Sequence, residues 1–168
     1  TRRSSDLQDS IGFIQNREHQ HARLKEIANG GSILIVAPHL GNWEVMNLFV
    51  GTHFPINVLY QPPKHEVLEE IIARAREQTG SRVFPTTRRG IAALFQALRE
   101  NEWVGILPDQ EPEKDAGCFV PFFGQDTLTM TLISKLVQKT RPRVVVAYAK
   151  RLSNGVGYEL IVHEVDDQ

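Results

Sequence analysis

At 168 residues the chain is long enough to bury a real core as one domain. Its apolar fraction of 41% and charged fraction of 23% fit a globular protein and exclude a disordered or collagen-like one. With 19 Lys and Arg against 20 Asp and Glu there is no general electrostatic case for nucleic acid, and the lone Cys118 excludes an intramolecular disulfide framework or a cysteine zinc cluster.

Residues 7–28 place Leu7, Ile11, Ile14, His21, Leu24 and Ala28 at helical spacing, and Gly30-Gly31 ends the pattern. Residues 32–37 follow as a short, branched, continuously apolar run, as a strand buried on both faces would be. After Pro38-His39-Leu40-Gly41 the chain enters a helix, with Asn42 or Gly41 near its cap and Glu44 in its first turn. The alternation continues with a strand at 56–60, a helix at 67–78, a short strand at 82–84, a helix at 91–98 and a strand at 103–107. A helix over 128–137 carrying Leu128, Leu132, Ile133 and Leu136, then strands at 143–149 and 158–165, complete the series. Strands separated by helices of this length predict an α/β fold: a mostly parallel central sheet with helices on both faces, in a single domain over 1–168. No run is long and apolar enough to span a bilayer. The chain begins at Thr1 without a methionine and is expected to be a piece of a longer protein.

In open α/β sheets, chemistry gathers on the loops that leave the carboxyl ends of strands. Two such loops stand out, Pro38-His39-Leu40-Gly41-Asn42-Trp43-Glu44 and Pro108-Asp109-Gln110-Glu111-Pro112, each after an apolar strand. The His-x4-Glu spacing occurs three times, at His39/Glu44, His21/Glu26 and His65/Glu70. Five residues on a straight helix turn through about 140°, so pairs inside helical patterns point apart. Only His39 sits where a strand ends and a helix begins, a geometry that lets ring and carboxylate meet. A neutral imidazole there would take a proton from a hydroxyl attacking a carbonyl, with Glu44 fixing the tautomer. Amides near Gly41 and Asn42 would help hold the developing oxyanion. No serine or cysteine lies beside His39, which favours direct transfer over a covalent acyl-enzyme.

Asp109 and Gln110 offer substrate positioning, or simply a turn between prolines. Phe119-Val120-Pro121-Phe122-Phe123-Gly124 suggests an acyl-chain wall, a bilayer contact or ordinary core. Between residues 74 and 89 the charge is lopsided, with Arg74, Arg76, Arg82, Arg88 and Arg89 against Glu77. Arg88-Arg89-Gly90 sits before a helix start, where an anion is favoured.

Taken in order, five pieces resemble the lipid A biosynthesis lauroyl/myristoyl acyltransferases of the wider glycerolipid acyltransferase superfamily. They are the Pro38–Glu44 heptapeptide, Tyr60-Gln61-Pro62-Pro63-Lys64, the Arg88-Arg89-Gly90 segment, Gly105-Ile106-Leu107-Pro108-Asp109-Gln110 and Phe119-Val120-Pro121-Phe122-Phe123-Gly124. The resemblance implies an α/β/α acyltransferase fold and transfer of a fatty acyl chain from acyl-carrier protein to a hydroxyl of a lipid A precursor. It implies His39 as general base, Glu44 as its acidic partner, and no metal or organic cofactor. Substrate contacts would fall on Asn42, Gln61, Lys64, Arg88, Arg89, Asp109, Gln110, Phe122, Phe123 and Gly124. The parent protein would work at the cytoplasmic face of the bacterial inner membrane, and family members carry an N-terminal hydrophobic anchor and a further C-terminal region. Gln61 stands where the family usually has arginine, and His65 where it often has asparagine. The alternatives are a different phospholipid or aminolipid acyltransferase, a hydrolase, or a non-catalytic domain binding lipid or carrier protein.

Overall fold

The computed structural model describes residues 11–60 and 80–165. Among them, six strands form one sheet in the order β3-β2-β4-β1-β7-β8: β1 Ile33–Val36, β2 Ile56–Tyr60, β3 Arg82–Pro85, β4 Trp103–Ile106, β7 Arg143–Arg151 and β8 Tyr158–Val165. Every pairing is parallel except β7 with β8. Two further strands, β5 Gly117–Phe122 and β6 Gln125–Met130, pair only with each other. The described helices are α1 Arg17–Ala28, α2 Trp43–His53, α3 Arg88–Arg99 and α4 Leu132–Thr140.

The central strands read as uninterrupted apolar runs because both of their faces are covered. Side chains alternate across β1: Ile33 and Ile35 join a core with Leu24, Val45, Phe49 and Leu160, while Leu34 joins one with Leu94, Leu98 and Leu136. One layer therefore holds α1 and α2, the other α3 and α4, and the expected α/β fold is the observed one.

Two expectations need correction. The first helix starts at Arg17; residues 11–16 are turns apart from Ile14, which makes an isolated parallel bridge to Tyr158. The Asn16 side chain donates to the Leu160 carbonyl (2.8 Å) and accepts from the Leu160 N–H (2.9 Å), fastening this segment to β8 rather than to a helix. Residues 7–10 of that expected helix lie outside the described residues, as does the helix expected over 67–78. Second, Leu128 is not helical. It lies on β6, opposite Phe119, and α4 begins only at Leu132. The β5–β6 hairpin turns on Phe123 (φ 48°) and Gly124 (φ 78°), a two-residue loop with both central residues at positive φ.

Candidate active site

Strands β1 and β4 are neighbours at the centre of the sheet, with Val36 opposite Ile106. The chain leaves β1 through α2 toward β2 over one face, and leaves β4 through α4 toward β7 over the other. The crevice between two such departures is where ligands bind in open sheets. That register also decides which residues meet. His39 is three residues past Val36 and Asp109 three past Ile106, so the two project side by side from adjacent strand ends.

They bond in two places. His39 Nδ1 lies 2.8 Å from Asp109 Oδ1, and the His39 backbone N–H donates to Oδ2 at 2.8 Å. Partial burial pushes the Asp109 carboxyl up. Hydrogen bonds from the His39 ring, the His39 backbone and Asp109's own N–H, together with the charge of His39, outweigh this and hold it below the ordinary carboxylate value. An ionised carboxylate only accepts, so Nδ1 carries a proton, and in the neutral ring this tautomer leaves Nε2 with the lone pair. The pair is partly open to solvent, at 43% and 42% side-chain exposure.

Sequence reasoning gave the ring's carboxylate partner as Glu44, and here the structure differs. Glu44 is exposed in the first turn of α2, and its carboxylate has no hydrogen-bond or ion-pair partner among the described residues. Asn42 likewise serves the scaffold. Its Oδ1 caps α2 by accepting from the Glu44 and Val45 N–H groups, its Nδ2 donates to the Tyr158 hydroxyl, and its backbone N–H donates to the Ala149 carbonyl. The Asn42 amide is therefore not free to hold an oxyanion. Gly41, at φ +71°, passes so close to β7 that an added Cβ would sit 2.1 Å from the Ala149 oxygen.

A cavity of about 500 Å³ opens beside this pair. His39, Gln110 and Glu111 stand among its polar lining; Trp43, Met46 and Val50 of α2 and Val58 of β2 are among the apolar lining. The His39 and Trp43 rings meet edge-on at 6.4 Å. Trp43 was missed from the sequence, although its place inside the Pro38–Glu44 heptapeptide was a signal.

The other expected site residues scatter. Arg88 and Arg89 are exposed on the first turn of α3, whose N-cap Thr87 accepts from Gly90, and neighbouring Thr86 lines the cavity. Arg82 is instead bonded to Glu102 at 2.7 Å. Phe122, Phe123 and Gly124 are at the tip of the β5–β6 hairpin, with Phe123 93% exposed, and do not line the cavity. The hairpin's base does, through Ala116 and Met130. Gln61 and Lys64 lie outside the described residues. Among the described residues no cluster of three or more His, Cys, Asp or Glu is arranged to hold a metal ion.

A family model described as bacterial lipid A biosynthesis acyltransferase matches residues 2–167. Two lipid A biosynthesis acyltransferases of Haemophilus influenzae are similar: one is 22% identical over 96% of this chain and 50% of its own length, the other 27% identical over 83% and 44%. A lipid A biosynthesis palmitoleoyltransferase of Escherichia coli is 23% identical over 59% of this chain and 32% of its own. The chain thus spans about half the length, or less, of the curated relatives it matches.

Proposed function

The chain belongs to the bacterial lipid A biosynthesis acyltransferases, and from that premise we propose that it transfers a fatty acyl chain from acyl-carrier protein to a hydroxyl of a lipid A precursor. The observation that carries the reading is an imidazole held through Nδ1 by a carboxylate, at the edge of a mostly apolar cavity of about 500 Å³.

In this reaction the acyl chain lies in the cavity and its thioester carbonyl rests beside His39. Nε2 takes the proton from the acceptor hydroxyl as its oxygen attacks the carbonyl carbon. The charge on the carbonyl oxygen is met by the Gln110 side-chain amide, which lines the cavity. When the intermediate collapses, the C–S bond breaks and the imidazolium returns its proton to the departing thiolate, leaving an ester and a thiol. Asp109 fixes the tautomer and steadies the imidazolium, the work sequence reasoning gave to Glu44. Glu44, with its carboxylate open to solvent one residue beyond Trp43, is assigned to the incoming acceptor, and Arg88 and Arg89 to its anionic groups. The exposed phenylalanines of the hairpin are assigned to the inner-membrane surface, where such an acceptor resides.

The test is transfer from acylated carrier protein to a lipid A precursor by the intact protein and its His39→Ala variant. Removing a general base is expected to lower the rate by about 10²–10⁴-fold in a folded protein. A variant that keeps its full rate removes His39 from the mechanism. Free fatty acid formed with no acylated precursor would mark a hydrolase instead.

A further inference from the structure

The cavity has a floor, and few residues make it. On α2, Trp43, Met46, Asn47 and Val50 line it, a stripe at i, i+3, i+4 and i+7 that runs away from His39 down the helix. At 1.5 Å per residue, Trp43 and Val50 are about 10 Å apart along the axis, room for roughly eight carbons of an extended chain at about 1.25 Å each. On the sheet, Gly105 lies opposite Val58 in register, and Ile56 stands two residues before Val58 on the same face of β2. Gly105 stands on β4 between Val104 and Ile106, which face the other core, so a side chain at 105 would face α2. Its Cβ would lie 3.0 Å from Val58 Cγ1 and 3.2 Å from Ile56 Cδ1, both of cavity-lining residues. One step deeper on the same face comes Trp103, opposite Ile56 in register and stacked on Phe54 at 3.9 Å between ring centroids, and there the layer is filled.

We propose that Gly105, with Val50 and Ile56, sets the length of the acyl chain this protein accepts: the missing side chain at 105 lets Val58 and Ile56 pack close against β4, and a Cβ there would push them toward the cavity. The assignment rests on the acyl-transfer reading above. Gly105→Ala and Val50→Phe shorten the accepted chain, and Ile56→Ala lengthens it. These changes act in opposite directions, which separates a change of depth from general damage to the core.

The experiment measures binding of a homologous series of saturated fatty acids to the intact protein, by displacement of a fluorescent fatty acid, with folding checked by circular dichroism. Wild-type affinity is expected to rise about fourfold per added methylene until the chain reaches the floor, then stay flat. In Gly105→Ala or Val50→Phe the break falls at least one even-numbered homologue earlier, and in Ile56→Ala at least one later. A break that stays in place in every folded variant, or wild-type affinity with no break at all, overturns the proposal. Acyl transfer by the wild-type protein is assayed alongside with the same chain lengths. Failure to transfer any of them, with the breaks moving as expected, sinks the transfer reading and leaves a cavity that measures fatty acids.

Discussion

Asp109 does two separable things: it orients His39, and it contributes to stability through its own depressed pKa. A carboxyl that titrates lower in the folded chain than in the unfolded one favours folding at pH values above its unfolded value of about 3.9, and that contribution is lost as pH falls through the folded value. With the side chain 42% exposed, screening limits the effect to at most about 1 kcal/mol. Asp109→Asn is therefore expected to lower Tm slightly at neutral pH, with the gap from wild type starting to narrow below about pH 4 and closing only below the depressed folded value, where both chains carry an uncharged group. A Tm gap that persists unchanged in acid would mean that the hydrogen bonds matter and the charge does not. The same variant is expected to lower kcat by about 10²-fold or more, because the wrong tautomer leaves Nε2 protonated. Glu44→Gln, by contrast, should act on KM for the acceptor. A large loss of kcat in Glu44→Gln with none in Asp109→Asn would return the orienting role to Glu44.

At the scale of elements, the loop from β1 to α2 is held by Gly41 and Asn42, and these are the residues a sequence reader is tempted to give to substrate. Asn42→Ala removes the cap of α2 and strands two N–H groups, at a cost of about 1 kcal/mol; Asn42→Ser keeps a capping oxygen and should recover most of that in thermal unfolding. If Asn42 only caps, Asn42→Ser also keeps the acceptor KM. A raised KM in that stable variant would show a direct contact. The strands around this loop were legible because burial on both faces leaves an unbroken apolar run, as in Ile33–Val36 and Trp103–Ile106. The loop positions of His39 and Asp109 were legible for the same reason. Their bond was not: it depends on β1 pairing with β4 in a register offset by 70 residues, which no local pattern encodes. The β5–β6 hairpin was missed because Leu128, Leu132 and Leu136 fall at a spacing of four across a strand and a helix, imitating one helical face. The signal for it was Phe123-Gly124, a tight turn with an aromatic residue in an unusual left-handed position.

For the molecule as a whole, the site's polar groups and the hairpin lie around one opening. The base of the hairpin contributes Ala116 and Met130 to the cavity wall, while its tip carries Phe122 and Phe123 outward at 61% and 93% exposure. These rings contribute nothing to the two cores, so folding alone does not explain them. Among the described residues no helix is long and apolar enough to cross a membrane; on the proposed reading, these exposed rings would be the ones to enter a membrane interface. A double Phe122→Ser, Phe123→Ser variant should then keep the Tm of the wild type to within a few degrees, since exposed substitutions away from caps and cores typically change stability by less than about 0.5 kcal/mol. It should also lose most of its binding to phospholipid vesicles in co-sedimentation. Transfer to a precursor presented in vesicles should fall with that binding, whereas transfer to the same precursor dispersed in detergent should not. If vesicle binding survives the double change, the hairpin is not the membrane contact. If binding survives but transfer falls in detergent as well, the tip touches the substrate itself, as the sequence first suggested.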